Sequence, residues 1–167
     1  IDFGQVNSVI NIPPTVERLI FCDNKTDLFP ILPNTLIELK ICVNKFSRIE
    51  KLPDSLRIFD CSENQFKSLP QLPSRLETFR CEKNKIENLP HLPKTLKSLD
   101  CSFNRIKELT PLPSGLERLN CGANQIDKIK NLPGDLRELN LIDNPIQKLP
   151  KISKNCRLRI SPTFLNE

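Results

Sequence analysis

Leu56-Arg57-Ile58-Phe59-Asp60-Cys61-Ser62-Glu63-Asn64, continued by Phe66, Leu69-Pro70 and Leu72-Pro73, is the stretch whose reading decides the fold. Its closing Asn recurs at 24, 44, 64, 84, 104, 124 and 144, every 20 residues, so seven units cover 140 of the 167 residues. Numbered from the first leucine, position one is Val16, Leu36, Leu56, Leu76, Leu96, Leu116 and Leu136, and position four is Leu19, Leu39, Phe59, Phe79, Leu99, Leu119 and Leu139. Apolar positions four and six alternate with polar neighbours, which predicts a short strand with one face buried. The Asn then turns the chain. Its side chain bonds backbone groups and tolerates unusual dihedrals, so a stacked column of Asn should satisfy the loop amides that stacking buries.

The pattern L-x-x-L-x-(C/L)-x-x-N is the leucine-rich-repeat signature. Pro33, Pro53, Pro73, Pro93, Pro113 and Pro133 recur in the return segment, with further prolines at 30, 70, 90, 111 and 150. That density forbids helix, because each proline removes a donor and clashes with the preceding turn. The expected fold is an α/β-class solenoid, predominantly β: a leucine-rich-repeat arc with a parallel concave sheet, an extended or polyproline convex side and little or no helix. At about 4.8 Å per strand, seven units make an arc about 34 Å long. The expected organisation is a half-repeat cap over 1–15, seven repeats over 16–155, and a capping strand and tail over 156–167. Within that last segment Cys156, Leu158 and Ile160 alternate.

No apolar run approaches the roughly 20 residues that cross a bilayer, and nothing at the amino end reads as a signal peptide. Because it starts at Ile1, the sequence reads as a processed or trimmed fragment. The net charge of +5 is spread along the chain. Asp60, Glu63, Glu82 and Asp100 interrupt any basic stripe, so no nucleic-acid partner is expected. One His and no Gly-rich phosphate loop leave no catalytic constellation, and neither cofactor, metal nor small-molecule substrate is expected.

Of the seven cysteines, Cys61, Cys81, Cys101 and Cys121 occupy position six and read as core residues, small hydrophobes packed against leucines. In-register neighbours at about 4.8 Å are wider than the roughly 3.8 Å Cβ separation of a disulfide, and ligands in one line cannot form a tetrahedron. Four unpaired thiols point to a reducing compartment, the cytosol. Cys22 and Cys42, at position seven, turn outward and are either reactive or merely small exposed residues. The sequon Asn24-Lys25-Thr26 is discounted, since Asn24 belongs to the Asn column.

Curved repeat proteins bind partners on the concave face, so the outward positions two, three, five, seven and eight outline the candidate site. Units one to three present Ile20, Cys22, Ile37, Cys42, Val43 and Ile58, an apolar patch that is a binding surface, or is covered by sequence ahead of it, or is a scatter of apolar residues such as every surface has. In the middle, Asp60, Arg80 and Asp100 share position five and are expected to form a salt-bridge ladder. Units five to seven present Phe103, Gly122, Ala123 and Ile142, beside Asn120 and Asn140. Lys148, Lys151, Lys154, Arg157 and Arg159 make the far end basic, either a contact site or a solvated capping edge.

The 20-residue unit and the returns Leu69-Pro70-Gln71-Leu72-Pro73 and Leu89-Pro90-His91-Leu92-Pro93 resemble the bacterial short-repeat leucine-rich-repeat effectors, typified by YopM and the IpaH group. The resemblance implies a non-catalytic module that recognises a host protein in the cytosol of a eukaryotic cell. The alternative it implies is the substrate-recognition fragment of a larger effector ubiquitin ligase. The ligase motif Cys-x-Asp is absent from these 167 residues.

Overall fold

The computed structural model describes residues 11–161. Eight three-residue strands lie in chain order in one parallel sheet: β1 Arg18–Ile20, β2 Glu38–Lys40, β3 Ile58–Asp60, β4 Thr78–Arg80, β5 Ser98–Asp100, β6 Arg118–Asn120, β7 Glu138–Asn140 and β8 Arg157–Arg159. Leu19, Leu39, Phe59, Phe79, Leu99, Leu119 and Leu139 pair in one row, each register advancing by 20 residues, and Leu158 joins that row after 19. The chain is therefore a parallel β-solenoid with no helix among the described residues. The proline-rich returns run extended along the convex side, broken by the isolated parallel bridges Asn11↔Ile31 and Lys128↔Lys148.

The core is a set of columns. Leu36, Leu56, Leu76, Leu96 and Leu116 are fully buried at position one, and Phe59 and Phe79 stack with ring centroids 5.6 Å apart at position four. Each such side chain contributes about 1.5–3 kcal/mol by leaving water. No unit could bury its columns alone; the neighbours on either side complete the core.

The Asn column does what the sequence led us to expect. Asn64 Nδ2 lies 2.9 Å from Ile41 O of the preceding unit, 3.2 Å from Cys61 O and 3.0 Å from Ser62 O, while its Oδ1 accepts from Phe46 N at 3.0 Å. Asn104 and Asn124 repeat the arrangement on Cys81 O and Cys101 O. The strained dihedral is not on the Asn, however. It falls one residue earlier, at position eight: Asp23, Val43, Glu63, Lys83, Phe103, Ala123 and Asp143 all have φ between 52° and 57°. None is glycine, and a β-branched residue such as Val43 is ill-suited to the left-handed region.

A second set of straps was not foreseen. Thr35 Oγ1 lies 2.8 Å from Pro14 O and 2.7 Å from Val16 O, and Ser55 and Thr95 make equivalent contacts with Asn34 O and Leu36 O, and with Ser74 O and Leu76 O. The signal was a hydroxyl directly before the first leucine in several units, at Thr15, Thr35, Ser55 and Thr95.

Candidate functional site

Strand alternation sends positions three and five out of the sheet on its concave side and position four into the core. One outward row reads Arg18, Glu38, Ile58, Thr78, Ser98, Arg118, Glu138 and Arg157; the other reads Ile20, Lys40, Asp60, Arg80, Asp100, Asn120, Asn140 and Arg159. The inward rows are uniformly apolar, whereas these two differ at nearly every rung.

The first apolar group is not continuous. Ile20 is 67 % exposed and Val43 is exposed, but Ile37 and Ile58 are half-buried. Strand β2 puts Glu38 and Lys40 between Ile20 and Ile58, and these two form an ion pair at 2.7 Å. Phe103 is 59 % exposed; it lies at position eight, on the rim where the strands have ended, rather than on the concave floor. Gly122 is buried, and Asn120, Asn140 and Ile142 are half-buried.

The expected ladder at position five is not formed, although Asp60, Arg80 and Asp100 are in register. Asp60 accepts from Ser62 N at 3.0 Å and Ser62 Oγ at 2.6 Å, and Asp100 does the same with Ser102 N and Oγ at 3.0 and 2.7 Å. These two-residue turns need no long side chain to be ordered, so they win over a cross-strand ion pair. Arg80 reaches Glu82 instead, at 3.5 Å. Burial pushes the Glu82 carboxyl up, and its Oε2 has no hydrogen-bond partner among the described residues. Further along, Asn120 Nδ2 donates to Asp100 Oδ2 at 2.8 Å, and Asn120 Oδ1 and Asn140 Oδ1 accept from Gly122 N and Ile142 N.

Cys22 and Cys42 are joined in a disulfide, which corrects the expectation that they are separate outward thiols. At position seven the strands have just ended and the two Cα atoms come within 4.6 Å, inside the range a disulfide spans. The outward side chains turn freely toward one another there. Cys61, Cys81, Cys101 and Cys121 remain free and buried, wedged among the leucine columns. Burial pushes all four thiols up, Cys121 to about 12.

Arginines at the carboxyl-terminal end are the feature the outward tally underweighted. Arg80, Arg118, Arg157 and Arg159, with Asp100 and Glu138, line a concave groove of about 370 Å³. Arg157 and Arg159 were legible as part of a basic end; Arg118 was visible as a cation at outward position three.

Stacked 20-residue units, an inward leucine row and a column of bonded Asn at the turns define a leucine-rich-repeat fold. The family described as Leucine Rich repeats (2 copies) matches residues 94–134. A search of curated proteins by sequence finds no match. Among solved structures, the chain is similar to the leucine-rich-repeat domain of a Shigella effector, with 26 % identity, TM-score 0.80, and coverage of 90 % of this chain and 73 % of that one. It is similar also to YopM, a leucine-rich effector protein from Yersinia pestis, with 26 % identity, TM-score 0.85, and coverage of 95 % and 48 %. A third is the functional domain of InlJ from Listeria monocytogenes, which includes a cysteine ladder, at 25 % identity, TM-score 0.70, and coverage of 82 % and 37 %. The chain thus resembles the bacterial leucine-rich-repeat effectors, and spans less than half the length of YopM.

Proposed function

We propose that this chain is a non-catalytic recognition domain that binds a partner protein through its concave face, and that the partner is a protein of a eukaryotic host. One observation carries this reading: the sheet's outward rows vary from rung to rung on a backbone whose inward rows do not. An invariant scaffold presenting a varied, solvent-facing surface is suited to recognition and poorly suited to catalysis. Similarity to a Shigella effector domain and to YopM supports the same reading. Among the described residues no helix is long and apolar enough to cross a membrane.

For the compartment, the free buried thiols favour the reducing host cytosol, while the Cys22–Cys42 bond favours an oxidising route. Intact-mass measurement after alkylation of protein recovered from host cytosol decides between them.

The recognition reading is tested by capture from eukaryotic cytosol with the wild-type chain, a concave variant (Ile20→Asp, Thr78→Glu, Ser98→Glu) and a convex variant (Lys67→Ala, Glu87→Ala). The expected result is one protein retained by wild type and the convex variant and lost with the concave variant, all three showing the same circular dichroism. Retention by both variants, or loss with both, overturns it.

A further inference from the structure

The concave face has two electrostatic halves. In units one to four each cation is matched by a carboxylate: Arg18 and Lys40 with Glu38, Arg57 with Glu77 at 2.9 Å, Arg80 with Glu82, and Lys83 with Glu63 at 3.1 Å. Further along, Arg137 pairs with Glu117 at 3.7 Å in the position-two row, but in the groove beside that row the pattern stops. Arg118, Arg157 and Arg159 are exposed and have no ion pair or hydrogen-bond partner among the described residues. Glu138 lies between Arg118 and Arg157 in the register but is within ion-pair distance of neither. Asp100 already accepts from Ser102 and Asn120. Asn140, in the same groove, uses its Oδ1 on Ile142 N, and its Nδ2 has no acceptor among the described residues.

Spare donors are thus concentrated in one concave trough. We propose that the carboxyl-terminal half of the concave face docks an extended, carboxylate-rich segment of the partner protein, with Arg118, Arg157 and Arg159 taking its acidic side chains and Asn140 a backbone carbonyl. This rests on the concave-face reading above and adds the chemistry of the partner. The spacing suits such a segment. Arg118 and Arg157 stand two strands apart, about 9.6 Å, and Arg157 and Arg159 two residues apart, about 6.6 Å, close to the span of two or three residues of extended chain. Planar guanidinium forks match carboxylates bidentately, and unpaired arginines spare the partner the cost of breaking an existing ion pair.

The test uses a fluorescein-labelled Ser-Glu-Asp repeat peptide of about ten residues and a Ser-Gln-Asn twin, followed by anisotropy, with the affinity converted by the usual relation. The acidic peptide is expected to bind at least about tenfold more tightly than the twin and to weaken with added salt. Arg157→Gln with Arg159→Gln is expected to weaken it about tenfold, and Arg57→Gln, whose arginine is already paired, less than about twofold. Equal binding of the twin, equal loss with Arg57→Gln, or an affinity weaker than about 1 mM overturns the proposal. So does an oligodeoxythymidine of matched charge binding as tightly as the peptide, which would assign the arginines to phosphate. If the peptide fails while the captured host protein is still lost with the concave variant, the recognition reading stands and only this one falls.

Discussion

The first two units and the units around Asn104 share a backbone and the same hydrogen-bonded turn, yet among the described residues only the first pair is also joined covalently. Asn44 Nδ2 reaches back to Phe21 O at 2.8 Å, and its Oδ1 accepts from Asn24 N at 3.1 Å. Asn104 ties two units together: its Nδ2 lies within 3.2 Å of Cys81 O, Cys101 O and Ser102 O, and its Oδ1 takes Ile86 N at 2.9 Å. On top of the same network the first two units carry the Cys22–Cys42 bond. The comparison teaches that the Asn strap is common to the stack, whereas the covalent one is local to the two adjacent units whose position-seven residues are both cysteine.

Breaking the comparison at its strongest point, Asn104→Ala leaves the Ile86 amide and several carbonyls unpaired and is expected to cost about 4 kcal/mol, against less than about 0.5 kcal/mol for Asn131→Ala, an exposed residue outside the column. Urea unfolding of both variants measures the difference; equal costs would refute the strapping role of the column. Next in size, the disulfide closes a loop of about 20 residues, so Cys22→Ser with Cys42→Ser is expected to cost about 3 kcal/mol by the chain-entropy relation. Reductant should reproduce that loss in the wild type and leave the double variant unchanged.

The buried thiols sharpen the contrast through pH. Cys121 keeps its proton in the folded chain up to about 12 against an ordinary value of 9.0, because burial disfavours the thiolate. A raised folded pKa means the stabilisation is full below the unfolded value and is lost as pH rises toward the folded one. Stability should therefore fall between pH 9 and about 12, and Cys121→Val should flatten that fall by about 2 kcal/mol at a pH midway through the window. Chemical denaturation at pH 8 and midway through that window checks it. The smallest effect is at Val43, where φ is 55°. Val43→Gly relieves the left-handed strain and is expected to raise stability by about 1 kcal/mol, measurable as a higher Tm; a loss would mean that Val43 packing outweighs its strain.

Much of this was legible in the residues. Strand after strand followed from the two leucine columns, the buried thiols from position six, and the bonded turns from Asn. The left-handed residue was not, because position eight holds Asp, Val, Glu, Lys, Phe and Ala, with no glycine to mark it. Ile20, Ile37 and Ile58 looked like one apolar patch in a unit-by-unit tally, since that tally ignores what the intervening strand contributes. Asp60, Arg80 and Asp100 looked like a ladder because residue type does not reveal that an aspartate two residues before a serine prefers its own turn.

By itself, the sequence determined the repeat, the absence of helix on the convex side and the identity of every inward column, because burial is periodic and period is written in one dimension. Tertiary structure alone decided which outward cations are neutralised, which cysteines meet and where the free arginines gather. Those outcomes depend on distances between side chains about 20 residues apart, set by sheet register, strand ends and rotamers rather than by any local pattern.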